Sequence, residues 1–205
     1  MSDFPLRLWR RLAGCFGYLP ALHGRSDWEH QYSAGRWNYL DDLDELAHYS
    51  VIAGYIRRLA RGRRVLDVCC GTGALCTLLG DDVASGYFGI DFSEQAIAAA
   101  RRRDVPHAAF ECTDINDQPP AGPFGIIVFS ECLYYFADPL AVLDQYAGLL
   151  DEGGHCIVSM YAQTQTRRIW RMLESRYAVA DAVRIANRAH AWDVKVLRPV
   201  AGNRG

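Results

Sequence analysis

From Arg64 to Met160 the chain alternates short apolar runs with breaks and helix-length segments. The runs are Arg64–Val68, Tyr87–Ile90, Ala108–Cys112, Gly125–Phe129 and His155–Met160. Between them lie Ala74–Leu79, an Ala-rich Glu94–Arg103 opened by Ser93 as an N-cap, and a stretch from about Pro139 to Leu150. Gly153 and Gly154 break the chain before the fifth run. Strands joined by helical crossovers pair in parallel, so this order predicts a doubly wound, mostly parallel α/β sheet. Farther on, Thr166–Glu174 reads as a helix, and Ala178–Asn187 and Trp192–Leu197 read as strands a few residues apart. A connection that short suits a hairpin. The expectation is a seven-stranded sheet ending in antiparallel pairing, and with no linker or repeat in view, one domain over 1–205.

Ahead of that core, Leu40–Leu59 has helical spacing in Leu43, Leu46, Ile52, Tyr55, Ile56 and Leu59, and the Arg-Gly-Arg-Arg run at 61–64 ends it. Residues 1–60 thus read as a helical cap or lid on an α/β core at 61–205. Within the cap, Trp28, Tyr32, Trp37 and Tyr39 crowd a short segment. Arg7, Arg10 and Arg11 precede the apolar stretch Leu12–Leu22, superficially like a signal peptide, yet Leu6, Trp9, Leu12 and Phe16 share one helical stripe. We read 1–22 as an amphipathic helix that packs on the fold or touches a membrane surface or partner. No apolar run reaches the 18 residues a span needs.

Charge and cysteine usage narrow the function. A formal net charge of −2 offers no basic surface for nucleic acid. Seven Cys, an odd number without any Cys-x-x-Cys pair, and six His without His-x-x-x-His spacing argue against a disulfide framework and a metal site. A cytoplasmic, reducing location follows as the expectation.

In open α/β sheets, ligands bind beyond the carboxyl ends of the strands. Those ends are acidic and polar here: Asp67 with the loop Cys69-Cys70-Gly71-Thr72-Gly73, then Asp91, Asp114 and Ser130-Glu131. Any one carboxylate is explained as a helix cap. Four at successive strand ends are not. The dinucleotide fingerprint fails at its third glycine, where Cys76 stands, and no Gly-Lys-Ser/Thr loop occurs. Asp67 would also repel a pyrophosphate. A loop for an adenosine ligand that lacks phosphates and carries positive charge fits S-adenosylmethionine.

The stretch Val65-Leu-Asp67-Val-Cys-Cys-Gly71-Thr-Gly73 resembles the first motif of class I S-adenosylmethionine-dependent methyltransferases. Gly89-Ile-Asp91-Phe-Ser, Cys112-Thr-Asp114-Ile and Leu150-Asp-Glu-Gly-Gly154 are similar to their later motifs, in order, over about 65–200. Ser130-Glu131-Cys-Leu-Tyr134-Tyr135 resembles the subgroup that includes the nodulation N-methyltransferases. The resemblance implies a Rossmann-like methyltransferase fold and S-adenosyl-L-methionine as cofactor. It implies that Gly71 and Gly73 admit the methionine part, Asp67 meets its ammonium, and Asp91 takes the ribose hydroxyls. It further implies that Phe92 packs on adenine, with Asp114 and Ile115 at its edge. Ser130 joins that binding set, and Tyr32 or Arg36 of the covering segment meets the methionine carboxylate. The family usually has Gly where Cys69 stands and a common Asp where Gly125 stands.

Methyl transfer to an amine or hydroxyl needs alignment and a proton acceptor. Glu131, Tyr134 and Tyr135 are the candidates just past the fourth strand, with His30 next. The expected function is transfer of a methyl group to N or O of a small molecule or saccharide. The alternative is a non-catalytic S-adenosylmethionine-binding partner protein, and a nucleotide-dependent oxidoreductase ranks behind both. No insertion follows the fifth strand, so residues 1–50 are expected to build most of the acceptor site.

Overall fold

Strand β1 (Val65–Val68) is buried along its whole length, which requires cover on both sheet faces. A computed structural model describes residues 24–83, 85–117, 119–188 and 190–200. The expectations for 1–22 lie outside the described residues. Around β1 the strands β2 (Tyr87–Asp91), β3 (Ala108–Cys112), β4 (Phe124–Ser130), β5 (Leu150–Tyr161), β6 (Tyr177–Ala186) and β7 (Ala191–Pro199) form one seven-stranded sheet in the order β3-β2-β1-β4-β5-β7-β6. Pairing is parallel from β3 through β5 and antiparallel at β5–β7 and β7–β6. The predicted class, strand count and antiparallel end all hold.

Alternate residues of the central strands feed two cores. Leu66, Val68, Ile127, Phe129, Val158 and Met160 pack with helices α5 (Pro139–Ala147) and α6 (Thr164–Glu174). Val65, Ile126, Val128 and Ile157 face α2 (Leu43–Ala60), α3 (Ala74–Leu79) and α4 (Glu94–Arg101) on the other side. Period-two side-chain alternation in a doubly covered sheet demands this division. Ser93 caps α4 as its sequence suggests, its hydroxyl accepting from the Ala96 N–H at 3.1 Å. Pro139 opens α5 behind the Asp138 cap.

Two local readings are corrected. The fifth helix stops at Ala147, not Leu150, and β5 already begins at Leu150. A register shift separates the pairs Phe124↔Leu150 and Ile126↔His155, with Gly153 at φ +73° inside it, so the glycines make a bulge rather than a break. The aromatic segment forms a helix of its own, α1 (Arg25–Ser33), and a short 3-10 turn (Asn38–Asp41) leads into α2. Gly125 is a packing position: a Cβ there would lie 2.5 Å from Arg63 Cβ. The Arg63 guanidinium runs past it to Asp151 at 2.7 Å and to carbonyls of α2, tying that helix to the bulge.

Chain order reverses between β1 and β4, so the crevice beyond their carboxyl ends is where this topology places a ligand.

Candidate active site

A cavity of about 310 Å³ opens there, beneath α1 and the 3-10 turn. Of the residues singled out from sequence, Tyr32, Asp67, Gly71, Asp91, Phe92, Asp114, Ile115, Ser130, Glu131, Tyr134 and Tyr135 all line it. Two do not. Arg36 is exposed outside it, and Gly73 turns the chain away at φ +78°, where a Cβ would lie 3.2 Å from Ala100 Cβ. Gly73 therefore lets the loop pack closely on α4. His30 is exposed on α1, away from the lining.

At the end of β1, Asp67 is buried, and its Oδ2 accepts from the Tyr87 hydroxyl. Its Oδ1 is buried without a hydrogen-bond partner. Burial lifts the carboxyl to about 7, against the Tyr87 hydrogen bond that lowers it. An orphaned carboxylate oxygen costs on the order of 1–3 kcal/mol unless something else meets it. Cys69, next but one, sits at φ +61°, the left-handed region where the resemblance expects glycine. Arg103 braces the loop through the Thr72 carbonyl (2.5 Å) and the Asp41 carboxylate (2.8 Å).

Asp91 ends β2. Its two oxygens accept from Gly71 N–H and Ser93 N–H, each at 3.0 Å, leaving one lone pair on each. Burial raises it to about 6 while these backbone bonds pull it down. Asp114 is fixed by Asn116, whose backbone N–H and side-chain amide both donate to Oδ1. Phe92 lines the same cavity and meets Trp28 edge-on, with ring centroids 6.0 Å apart.

At the end of β4 the backbone of Glu131 is held at φ +54°, a strained position for a residue with a side chain. Its carboxyl accepts from Ser159 Oγ (2.6 Å), the Tyr161 N–H (2.9 Å) and the Tyr134 hydroxyl (3.1 Å). All three donors are neutral, and burial pushes the group up to about 8.

The roof is aromatic. Trp28 stacks on Trp37 with centroids 5.1 Å apart and meets Tyr135 edge-on at 5.0 Å. Tyr32 and Tyr39 each lie 5.7 Å from Trp37. Glu29 holds this helix down: its carboxylate accepts from Ser93 Oγ, Glu94 N–H and Gln95 N–H, capping α4 from a different element.

Sequence reading missed Glu29, Glu45, Tyr49 and Tyr161, and treated Tyr39 only as part of the aromatic segment. For Glu45 a signal existed. It lies on the buried stripe of α2 with His48, Ile52 and Ile56, an acidic residue in an apolar row. The buried His48 and Glu45 approach to 3.7 Å, and burial drives that imidazole down to about 3, so it is neutral.

A family model described as Methyltransferase domain matches residues 36–197. The chain belongs to this family, a branch of the S-adenosylmethionine-dependent methyltransferases. The ubiquinone biosynthesis O-methyltransferase of Nitrobacter winogradskyi is 32% identical over 140 residues, 64% of this chain and 50% of that protein. Its namesake from Neisseria meningitidis serogroup C is 33% identical over 127 residues, 59% and 52% of the two chains. This methyltransferase chain thus spans about half the length of the curated relatives it matches. Among solved structures, the N-methyltransferase NodS from Bradyrhizobium japonicum WM9, in complex with S-adenosylhomocysteine, superposes with a TM-score of 0.68. It is 21% identical and covers 85% of this chain and 97% of its own. The [4+2]-cyclase SpnF shares the fold at a TM-score of 0.61 and 15% identity, covering 74% and 82%. The Rossmann-like methyltransferase fold is therefore common to proteins named for different reactions.

Proposed function

We propose that the protein binds S-adenosylmethionine in this cavity and transfers its methyl group to N or O of a small molecule. The observation that carries the reading is the buried, unpartnered Asp67 Oδ1 beside a glycine turn, a site that wants a cation and rejects a phosphate. Asp67 holds the methionine ammonium. Asp91 offers its two remaining lone pairs to the ribose hydroxyls, and Gly71 leaves room for the backbone to approach. Phe92 covers adenine, with Asp114 and Ile115 at its edge and Ser130 on the cavity wall. Tyr32, whose hydroxyl lies 3.3 Å from where a Gly71 Cβ would stand, closes the methionine end in place of Arg36.

Bound S-adenosylmethionine supplies an electrophilic methyl on a sulfonium, a leaving group that needs no help. The chain's own work is to align the acceptor, exclude water under the aromatic roof and take a proton. Glu131 is that base. Raised to about 8 and held by three neutral donors, it suits proton transfer near neutral pH, with Tyr134 fixing its rotamer. Tyr135 supports Trp28 rather than the reacting atoms. A small acceptor accords with the relatives' names and with a cavity of this size. The described cysteines are free thiols, in keeping with a reducing cytoplasm, and among the described residues no helix is long and apolar enough to cross a membrane.

The test is turnover. Mass spectrometry follows S-adenosylhomocysteine released from S-adenosylmethionine with an acceptor library. Glu131→Gln is expected to lower the rate by about a hundredfold or more while S-adenosylhomocysteine affinity stays within a few-fold. Binding without turnover by any acceptor would favour the non-catalytic reading.

A further inference from the structure

Ser159 is a polar residue inside an apolar run of β5. It is fully buried, as are Val158 and Met160 on either side, and it does not line the cavity. Both of its oxygens serve one residue. Its carbonyl accepts the Glu131 N–H at 3.0 Å, and its hydroxyl donates to Glu131 Oε1 at 2.6 Å. Parallel pairing of β4 with β5 sets Ser130 opposite Ser159, and with Glu131 at φ +54° its N–H and its carboxyl both meet this neighbour. A buried hydroxyl–carboxyl pair adds little stability, since two apolar side chains of the same shape serve a core about as well. What the pair does is orient. A carboxylate offers four lone-pair sites. The Tyr161 N–H and the Tyr134 hydroxyl fill two of them on Oε2, and Ser159 fills one on Oε1. The site left over is the second lone pair of Oε1. The Ser159 bond is also the shortest of the three, within the range of a hydroxyl bonded to an ionised oxygen.

Resting on the reading of Glu131 as the base, we propose that Ser159 is its positioning residue: the Ser159 hydroxyl fixes Oε1 as the atom that takes the acceptor's proton and favours the ionised carboxylate that can take it. The step balances. The acceptor's N–H or O–H bond breaks as its heteroatom bonds the methyl carbon, the carbon–sulfur pair stays on sulfur, and the released proton ends on Oε1. The titratable groups around Glu131 are Glu45 and Tyr49 on α2, Tyr134 past β4 and Tyr161 on β5. Glu45, which the Tyr161 hydroxyl reaches at 3.3 Å, sets a like charge against the ionised form. Burial pushes the Tyr49 and Tyr134 hydroxyls well up, so they stay protonated. Ser159 works against the repulsion from Glu45 and against burial, and it does not titrate itself.

The test follows the Glu131 carboxyl by carbon-13 NMR of protein labelled at the glutamate carboxyls and saturated with S-adenosylhomocysteine. Its signal is the one missing in Glu131→Gln. In Ser159→Ala the titration midpoint is expected to rise by about one pH unit or more, because the charged form loses a donor. Ser159→Thr, which restores a hydroxyl, should return it close to the parent value. S-adenosylhomocysteine affinity should be unchanged in both variants, since Ser159 lies outside the cavity lining. A midpoint in Ser159→Ala that stays or falls overturns the proposal, as does a Thr variant that titrates like the Ala variant. Should Ser159→Ala not fold, Ser159→Cys, whose thiol is a weaker donor, must raise the midpoint instead. Full turnover in Glu131→Gln would reject the base itself. Failure of S-adenosylhomocysteine to bind would reject the donor reading. Neither result resembles an unmoved midpoint.

Discussion

At the scale of single residues, two of the five described non-glycine residues at positive φ line the cavity. Cys69 and Glu131 adopt positive φ at the ends of β1 and β4, the two strands flanking the chain reversal. Such strain costs on the order of 1–3 kcal/mol and persists where surrounding contacts enforce it. For Glu131 the enforcing contacts are the hydrogen bonds from Ser159, Tyr161 and Tyr134. Asp91 is unstrained and carries a different burden. With two backbone N–H groups already bound, its free lone pairs are the handle that the proposed reading gives to the donor's ribose. Asp91→Ala is expected to weaken S-adenosylhomocysteine binding at least a hundredfold, the loss of two charge-assisted hydrogen bonds of about 1.5–3 kcal/mol each. Titration calorimetry reads this directly, and a change below tenfold would displace the ribose from Asp91.

At the scale of elements, much was legible before any coordinates. Central strands buried on both faces write themselves as short, largely apolar runs, so β1, β2, β4 and the later half of β5 stand out. Their polar ends follow from where each run stops. Other features depend on contacts between segments far apart in sequence. Glu29 caps a helix that starts 65 positions later, and nothing near Glu29 announces it. Gly73 and Gly71 look alike in sequence, but only the approach of Ala100 makes one a packing residue. Tyr161 became visible as a bridge only when β5 was aligned beside β4. The cap on α4 also yields a prediction. Glu29→Ala removes three hydrogen bonds that hold α1 over the cavity, at a cost of about 1–2 kcal/mol. Residues 25–40 should then exchange amide hydrogens faster in the variant than in the parent, and S-adenosylhomocysteine should slow exchange in both. Unchanged exchange in the variant would show that the stacked rings alone hold the roof.

For the whole molecule, the cavity's charge sets its response to pH. Burial raises Asp91 to about 6, Asp67 to about 7 and Glu131 to about 8. Between the ordinary carboxylate range and those values the native state binds more protons than the unfolded chain, so stability falls as pH rises. The thermal midpoint of the ligand-free protein is expected to drop by several degrees between pH 5 and pH 8.5 through these groups. S-adenosylmethionine, which carries positive charge into the cavity, should shrink the drop. A midpoint that climbs across the same interval would contradict the assignment of these three carboxyls.

The same acidic cavity makes the central claim testable in one titration. Calorimetry at pH 7.5 with S-adenosylhomocysteine and with a nicotinamide dinucleotide compares a phosphate-free ligand bearing an ammonium with a pyrophosphate. One equivalent of S-adenosylhomocysteine should bind, and the dinucleotide should give no heat. Binding of the dinucleotide without binding of S-adenosylhomocysteine would contradict the account.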